Sequence, residues 1–168
     1  KDLVTYQSFT LYLMRVSMKL STKQVQNIVT GMAMISQEVQ AGKLKLDVGT
    51  SFAIAIAKKQ LAPVYEAYTE TRDALLNEFT VKDEKGEKVK IPAVLNAQGQ
   101  TIVQEQWDLG GRGAEWTGEV KKLLLEEHEI DRLNPLPMEN FKLKKVNGED
   151  GDIDPDILFL LSPWLVME

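Results

Sequence analysis

The longest helical period in the chain runs from Val48 to Phe79, and any fold must cover the apolar stripe that it makes. Ile54, Ala57, Leu61, Val64, Tyr65, Tyr68, Leu75 and Phe79 recur at helical spacings along one face. A turn at Thr71 and Arg72 is expected to interrupt the run. The natural cover is the segment before it, Thr22 to Gln40, whose Val25, Ile28, Val29, Met32, Ile35 and Val39 form a second stripe. Together they predict a long antiparallel helical hairpin. With a small antiparallel β element and short C-terminal helices, the fold class is α+β.

Local signals punctuate this scaffold. Ser21 suits an N-cap, its hydroxyl accepting from a first-turn amide, and Gly42 suits a helix stop. Lys43 to Leu46 alternates as a short extended connection, after which Asp47 or Thr50 caps the long helix. Pro63 inside that helix removes one backbone bond and crowds the Lys59 carbonyl, at about 3 kcal/mol if uncompensated. A kink there, or a junction of two helices, is expected. Val81 to Ile91 reads as a hairpin over a charged turn, and Asn96 to Gly99 as a second turn before Thr101-Ile102-Val103. A third helix carries Trp116, Val120, Leu123 and Leu124, and His128 to Asp131 is extended. Asn147-Gly148 marks a turn, and Asp154-Pro155 opens a last short helix ending at Ser162-Pro163. The apolar tail Trp164-Leu165-Val166 either closes the core or touches a partner.

Composition narrows the class of function. The 168 residues, 43% hydrophobic and 27% charged, suit a soluble globular protein with a core of its own. A net charge of −5 argues against a phosphate-backbone surface over the whole molecule, leaving room only for a local basic patch at Lys142, Lys144 and Lys145. Without cysteine there is no disulfide, thiolate zinc site or thiol nucleophile. No apolar run reaches the roughly 20 residues of a membrane span. Residues 1–17 are apolar enough for a strand or docked helix, and Arg15 interrupts any secretory-signal pattern. With Met18 as an alternative start, they read as an N-terminal arm or extension to one α+β domain over residues 18–168.

Three constellations invite a chemical reading. Gly110-Gly111-Arg112-Gly113 precedes a helix and offers amides and a guanidinium to a phosphate, but it lacks the spacing of nucleotide loops, and Glu115 and Glu119 oppose an anion. Asp150, Asp152, Asp154 and Asp156 alternate like a calcium loop, yet Pro155 and Leu161 stand where glycine and glutamate are needed. His128, the sole histidine, has Arg132 where a zinc-protease pattern needs a second histidine, and no serine lies in a nucleophile-elbow pattern. The expectation is no enzyme, cofactor or metal. Tyr65 with Tyr68, and Trp107 with Trp116, are candidate ligand walls, and the former pair, at helical spacing, reads first as core.

Other features suggest a family. These are the opening Met18-Lys19-Leu20-Ser21-Thr22-Lys23-Gln24, the Lys43–Leu46 connection, and Ala55-Ile56-Ala57-Lys58-Lys59-Gln60-Leu61. Tyr65, Tyr68, Arg72, the turn Lys82-Asp83-Glu84-Lys85-Gly86, Leu123-Leu124, Glu129-Ile130-Asp131 and the Leu160-Leu161-Ser162-Pro163 ending follow in order. From Met18 to Glu168 this order resembles small uncharacterised proteins of tailed bacteriophages and prophages. The resemblance implies a minor virion or assembly role in the virion or host cytoplasm, and it brings no catalytic residues. The residues before Met18 and the Gly110–Gly113 loop depart from it. The expected function is a non-enzymatic phage protein whose partners are other phage structural proteins or itself. Tyr6, Phe9, Leu13, Arg112, Trp164 and Leu165 are the expected partner contacts. The alternatives are an inhibitor of a host protein, or a nucleotide- or phosphate-binding protein acting through the glycine loop.

Overall fold

A computed structural model of the chain describes residues 17–138, 143–145 and 154–166. The fold is α+β. In chain order the elements are β1 (Ser17–Ser21), α1 (Thr22–Gln40), β2 (Leu44–Leu46), α2 (Val48–Phe79), β3 (Lys90–Ile91), β4 (Val94–Leu95), β5 (Thr101–Val103) and β6 (Gln106–Trp107). They continue as α3 (Gly113–Leu125), β7 (Glu127–Asp131), β8 (Leu136–Pro137), β9 (Leu143–Lys145), α4 (Pro155–Leu161) and β10 (Leu165–Val166). Contacts divide the chain into two compact units, residues 1–65 with 126–168, and residues 66–125.

In the first unit, α1 begins with the cap its sequence predicts. Gln24 N–H donates to Ser21 Oγ while the Gln24 side chain accepts from Ser21 N–H at 2.8 Å, a reciprocal capping box. It ends at Gly42 with φ 71°, where Lys43 N–H reaches Glu38 O and Gly42 N–H reaches Val39 O. Those two bonds satisfy carbonyls that the helix end leaves open. Asp47, rather than Thr50, caps α2: its Oδ1 accepts from Thr50 N–H at 2.7 Å, and Thr50 itself is buried.

Val25, Ile28, Met32 and Ile35 of α1 share one core with Ile54, Ala57 and Leu61 of α2. Lys58 Nζ also donates to Ser36 Oγ at 3.0 Å. The same core takes in Leu20, Ile130, Leu133, Ile157, Leu161 and Trp164, so the helices are closed over by strands and α4 as well as by each other. At Gly31, α4 comes close to α1. A Cβ at Gly31 would lie 2.9 Å from Leu161 Cδ2 and 3.2 Å from Leu160 Cβ.

Four strand pairs are antiparallel: β1 with β7, β2 with β9, β3 with β6 and β4 with β5. The pair β8–β10 differs from the expected antiparallel element in being parallel. The intervening chain, which contains α4, supplies the long crossover that a parallel pair needs. Asp154 caps α4, accepting from Asp156 N–H at 2.9 Å with Pro155 in the first turn.

The expected break at Thr71 and Arg72 does not occur, and α2 is continuous through both these residues and Pro63. Thr71 turns its hydroxyl back onto the Ala67 carbonyl at 2.8 Å, which satisfies it inside the helix. Arg72 pairs with Asp73 and lies 5.9 Å from the Tyr68 ring centroid.

In the second unit, both predicted turns form. Asp83 Oδ1 accepts from Lys85 and Glu87 amides, and Asn96 Oδ1 from Gln98 and Gln100 amides. Each self-bonded Asx side chain reverses the chain, with Gly86 and Gly99 at positive φ. Asn147-Gly148 and Asp150 and Asp152 lie outside the described residues.

Two substitutions test the first unit. Gly31→Val should lower unfolding free energy by about 1–3 kcal/mol through overpacking against Leu161. Ser21→Ala should cost about 1 kcal/mol through the lost cap. Urea unfolding followed by circular dichroism measures both, and an unchanged midpoint for Gly31→Val would contradict the α4–α1 approach.

Candidate functional site

The N-terminal turn of α2 and the segment after β7 enclose a cleft of about 560 Å³ in the first unit. Each wall has a sequence cause. Asp47 fixes where α2 starts, which sets Phe52 and Ile56 one turn apart along a face beside the buried stripe. Phe52, which lines the cleft, is 63% exposed, so this apolar side chain stands in solvent at the cleft's lip.

The opposite wall begins where β7 ends. Arg132 adopts φ 60°, a left-handed conformation costly for a residue with a Cβ, and turns the chain out of the β7 ladder. Leu133 is thereby buried, while Pro135, Leu136 and Pro137 line the cleft. Two bonds hold this wall. Leu136 N–H donates to Trp164 O at 3.0 Å, and Trp164 Nε1 donates to Asn134 O at 2.9 Å. Trp164, 1% exposed, and Ala57 complete the lining. Asp47 and Arg132 supply one charge of each sign. This arrangement accepts an apolar side chain against a rigid indole-backed wall, with polar groups to orient the chain that carries it.

Of the expected contact residues, Trp164 lies in the cleft lining, and Leu165 and Arg112 lie outside it. Tyr6, Phe9 and Leu13 lie outside the described residues. Of the two expectations for the tail, Trp164 meets the first: its indole is 1% exposed and hydrogen-bonded, so it packs into the core. Leu165 is half-buried in β10 and packs on the same core. Arg112 belongs to the other unit. There its Nε donates to Glu115 Oε2 at 3.0 Å, and its guanidinium carbon lies 4.0 Å from the Phe79 ring centroid.

The glycine loop around Arg112 is equally committed to its own chain. Gly110 N–H donates to the Asp108 carboxylate at 2.8 Å, and Arg112 N–H to Leu109 O. A Cβ on Gly110 would meet Val81 Cγ2 at 2.9 Å, so glycine serves a close approach there. His128 sits on β7 with its Nε2 2.7 Å from Thr22 Oγ1, joined to the start of α1. Asp154 and Asp156 are exposed and engaged in the cap of α4. Among the described residues, no cluster of three or more acidic, histidine or cysteine side chains is placed to hold a metal.

The sequence held one signal for the cleft. Phe52 and Ile56 lie four apart beside the core stripe, a surplus of apolar residues on a helix whose core face is already complete. Arg132 carried no local signal, because nothing about arginine announces a left-handed conformation.

Floor and lip should respond differently to substitution. Trp164→Ala should cost about 3–5 kcal/mol of stability, whereas Phe52→Ser should stay within about 0.5 kcal/mol. Thermal and urea unfolding of the two variants compares them, and a large loss for Phe52→Ser would place that ring in the core.

Comparison of the chain with protein-family models, with curated proteins and with solved structures finds no match.

Proposed function

We propose that this chain is a non-enzymatic interaction protein of a tailed phage, working in the virion or its assembly through protein–protein contacts. The observation that carries the reading is the pre-formed apolar cleft with Phe52 exposed in its lining. Exposed apolar side chains beside a firm pocket are the usual makings of an interaction anchor. The order of features from Met18 to Glu168, similar to that of phage proteins, supplies the biological setting. A phosphate-binding reading would have to displace Asp108 from Gly110 and Glu115 from Arg112, so the loop favours it less.

Mass spectrometry of purified particles and their precursors tests the proposal, which expects the protein in one or both. Phe52→Asp should reduce its incorporation by about thirtyfold, the equivalent of a hot-spot loss of about 2 kcal/mol. Absence from particles and precursors, together with capture of one dominant basic host protein from lysate, would replace this reading with that of a host-directed inhibitor. A thermal shift with a nucleotide panel, abolished by Arg112→Ala, would restore the phosphate reading.

A further inference from the structure

One face of the β3–β6 pairing in the second unit gathers three lysines around an indole. Lys90 stands opposite Trp107 in the antiparallel register of β3 and β6, and Lys88, two residues before Lys90, falls on the same face. Distances to the ring agree with that placement: the ammonium groups of Lys88 and Lys90 lie 5.3 and 4.9 Å from the Trp107 centroid. Lys82 joins them, because an antiparallel bridge sets it directly opposite Lys88. All three lysines are exposed, and Trp107 is half-buried.

Such a cluster works against the hairpin that carries it. Like charges directly opposite one another in an antiparallel pair stand about 5 Å apart at Cβ and are destabilising. Glu105 neutralises Lys90. Among the described residues, Lys82 and Lys88 have no ion pair, and the indole gives Lys88 only the weaker attraction of a π face. In a chain whose net charge is −5, two cations left facing each other are complementary to an anionic partner, which relieves their repulsion on binding.

The indole and the ribbon beyond it select the anion. Carboxylates of an acidic peptide could meet the lysines, but they have no use for a flat ring. From Pro92 to Gln104 there is no ionisable side chain, so a partner held by charge alone finds cations at one end of the ribbon only. A nucleic-acid strand has both characters needed, phosphates along one edge and uncharged aromatic bases along the other. Bases of a single strand are free to stack on an indole, whereas those of a duplex are stacked on each other.

We infer that this face binds single-stranded nucleic acid. Neighbouring phosphates pair with Lys82 and Lys88, the Lys88 ammonium leaving the ring to do so, and the adjoining base stacks on Trp107. The inference goes beyond the reading of the chain as an interaction protein and uses no part of the cleft, so each fails without the other.

Fluorescence anisotropy of a labelled oligothymidylate of about 12 nucleotides, titrated with the full chain between about 50 and 200 mM salt, tests it. The logarithm of affinity should fall against that of salt with a slope of about −1.4, because each phosphate neutralised on a single strand contributes about −0.7. Lys82→Gln and Lys88→Gln should each bring the slope to about −0.7. Both positions are exposed and both changes remove repulsion, so these variants keep the fold. Trp107→Leu should weaken binding about tenfold at every salt concentration and leave the slope unchanged, with circular dichroism confirming that the variant is folded. No rise in anisotropy up to about 1 mM protein would overturn the inference. So would competition by polyglutamate as effective as that by unlabelled oligothymidylate, a duplex of the same length bound as tightly, or a wild-type slope in both lysine variants.

Discussion

The pairing of β1 with β7 joins the two stretches of chain that make up the first unit. Met18 faces Ile130 and Leu20 faces His128 in antiparallel register, and Thr22 N–H donates to Glu126 O at 2.8 Å just beyond the strand ends. Residues more than a hundred positions apart thus meet at the start of α1. Closing so long a loop costs only slightly more than closing one half its length, because the entropy grows with the logarithm of length. Leu20 and Ile130 offset that cost by entering the shared core. The second unit, residues 66–125, is consequently an insertion between two parts of the chain that fold as one.

The cleft depends on that closure. β7 must be in place for Arg132 to turn the chain and deliver Leu133 to the core, and only then can Asn134 accept the indole N–H of Trp164. The other wall requires α2 to start at Asp47, since a shift of one residue would rotate Phe52 by about 100° around the helix. One side of the cleft is set by a helix cap and the other by a strand end. Both are anchored in a core that includes Trp164, and only the lip is free of it.

What the sequence made legible was local chemistry. Ser21, Gly42, Asp83, Asn96 and Asp154 each carry a cap or turn signal that acts within a few residues, and each acts as read. The turn expected at Thr71 and Arg72 was misread because threonine's weak helix propensity yielded to a hydroxyl bond back to Ala67 and to a long helix on either side. The approach of α4 at Gly31 was not legible, since a glycine within a helical pattern does not say which distant side chain it admits. The site was half legible: Phe52 and Ile56 are visible four residues apart, whereas the opposite wall exists only once β7, β8 and β10 have come together. The indole of Trp164 shows the same limit, because an apolar tail reads alike whether it is exposed or packed.

The distribution of apolar side chains separates the two units in kind. In the first, Val25, Ile28, Met32, Ile35, Leu61 and Leu161 are fully removed from water. Among the described residues of the second, Tyr68 and Phe79 are the buried apolar side chains, and α3 buries none. Hydrophobic stabilisation scales with area removed from water, so the insertion gains less from its own folding than the unit that carries it. Its stabilisation comes instead from turns, from cations resting on Trp107 and Phe79, and from the continuity of α2. An element built this way keeps apolar side chains outward at little cost to its own core. The short strands β4 and β5, with a register shift between Val94 and Leu95, restrain indiscriminate strand pairing.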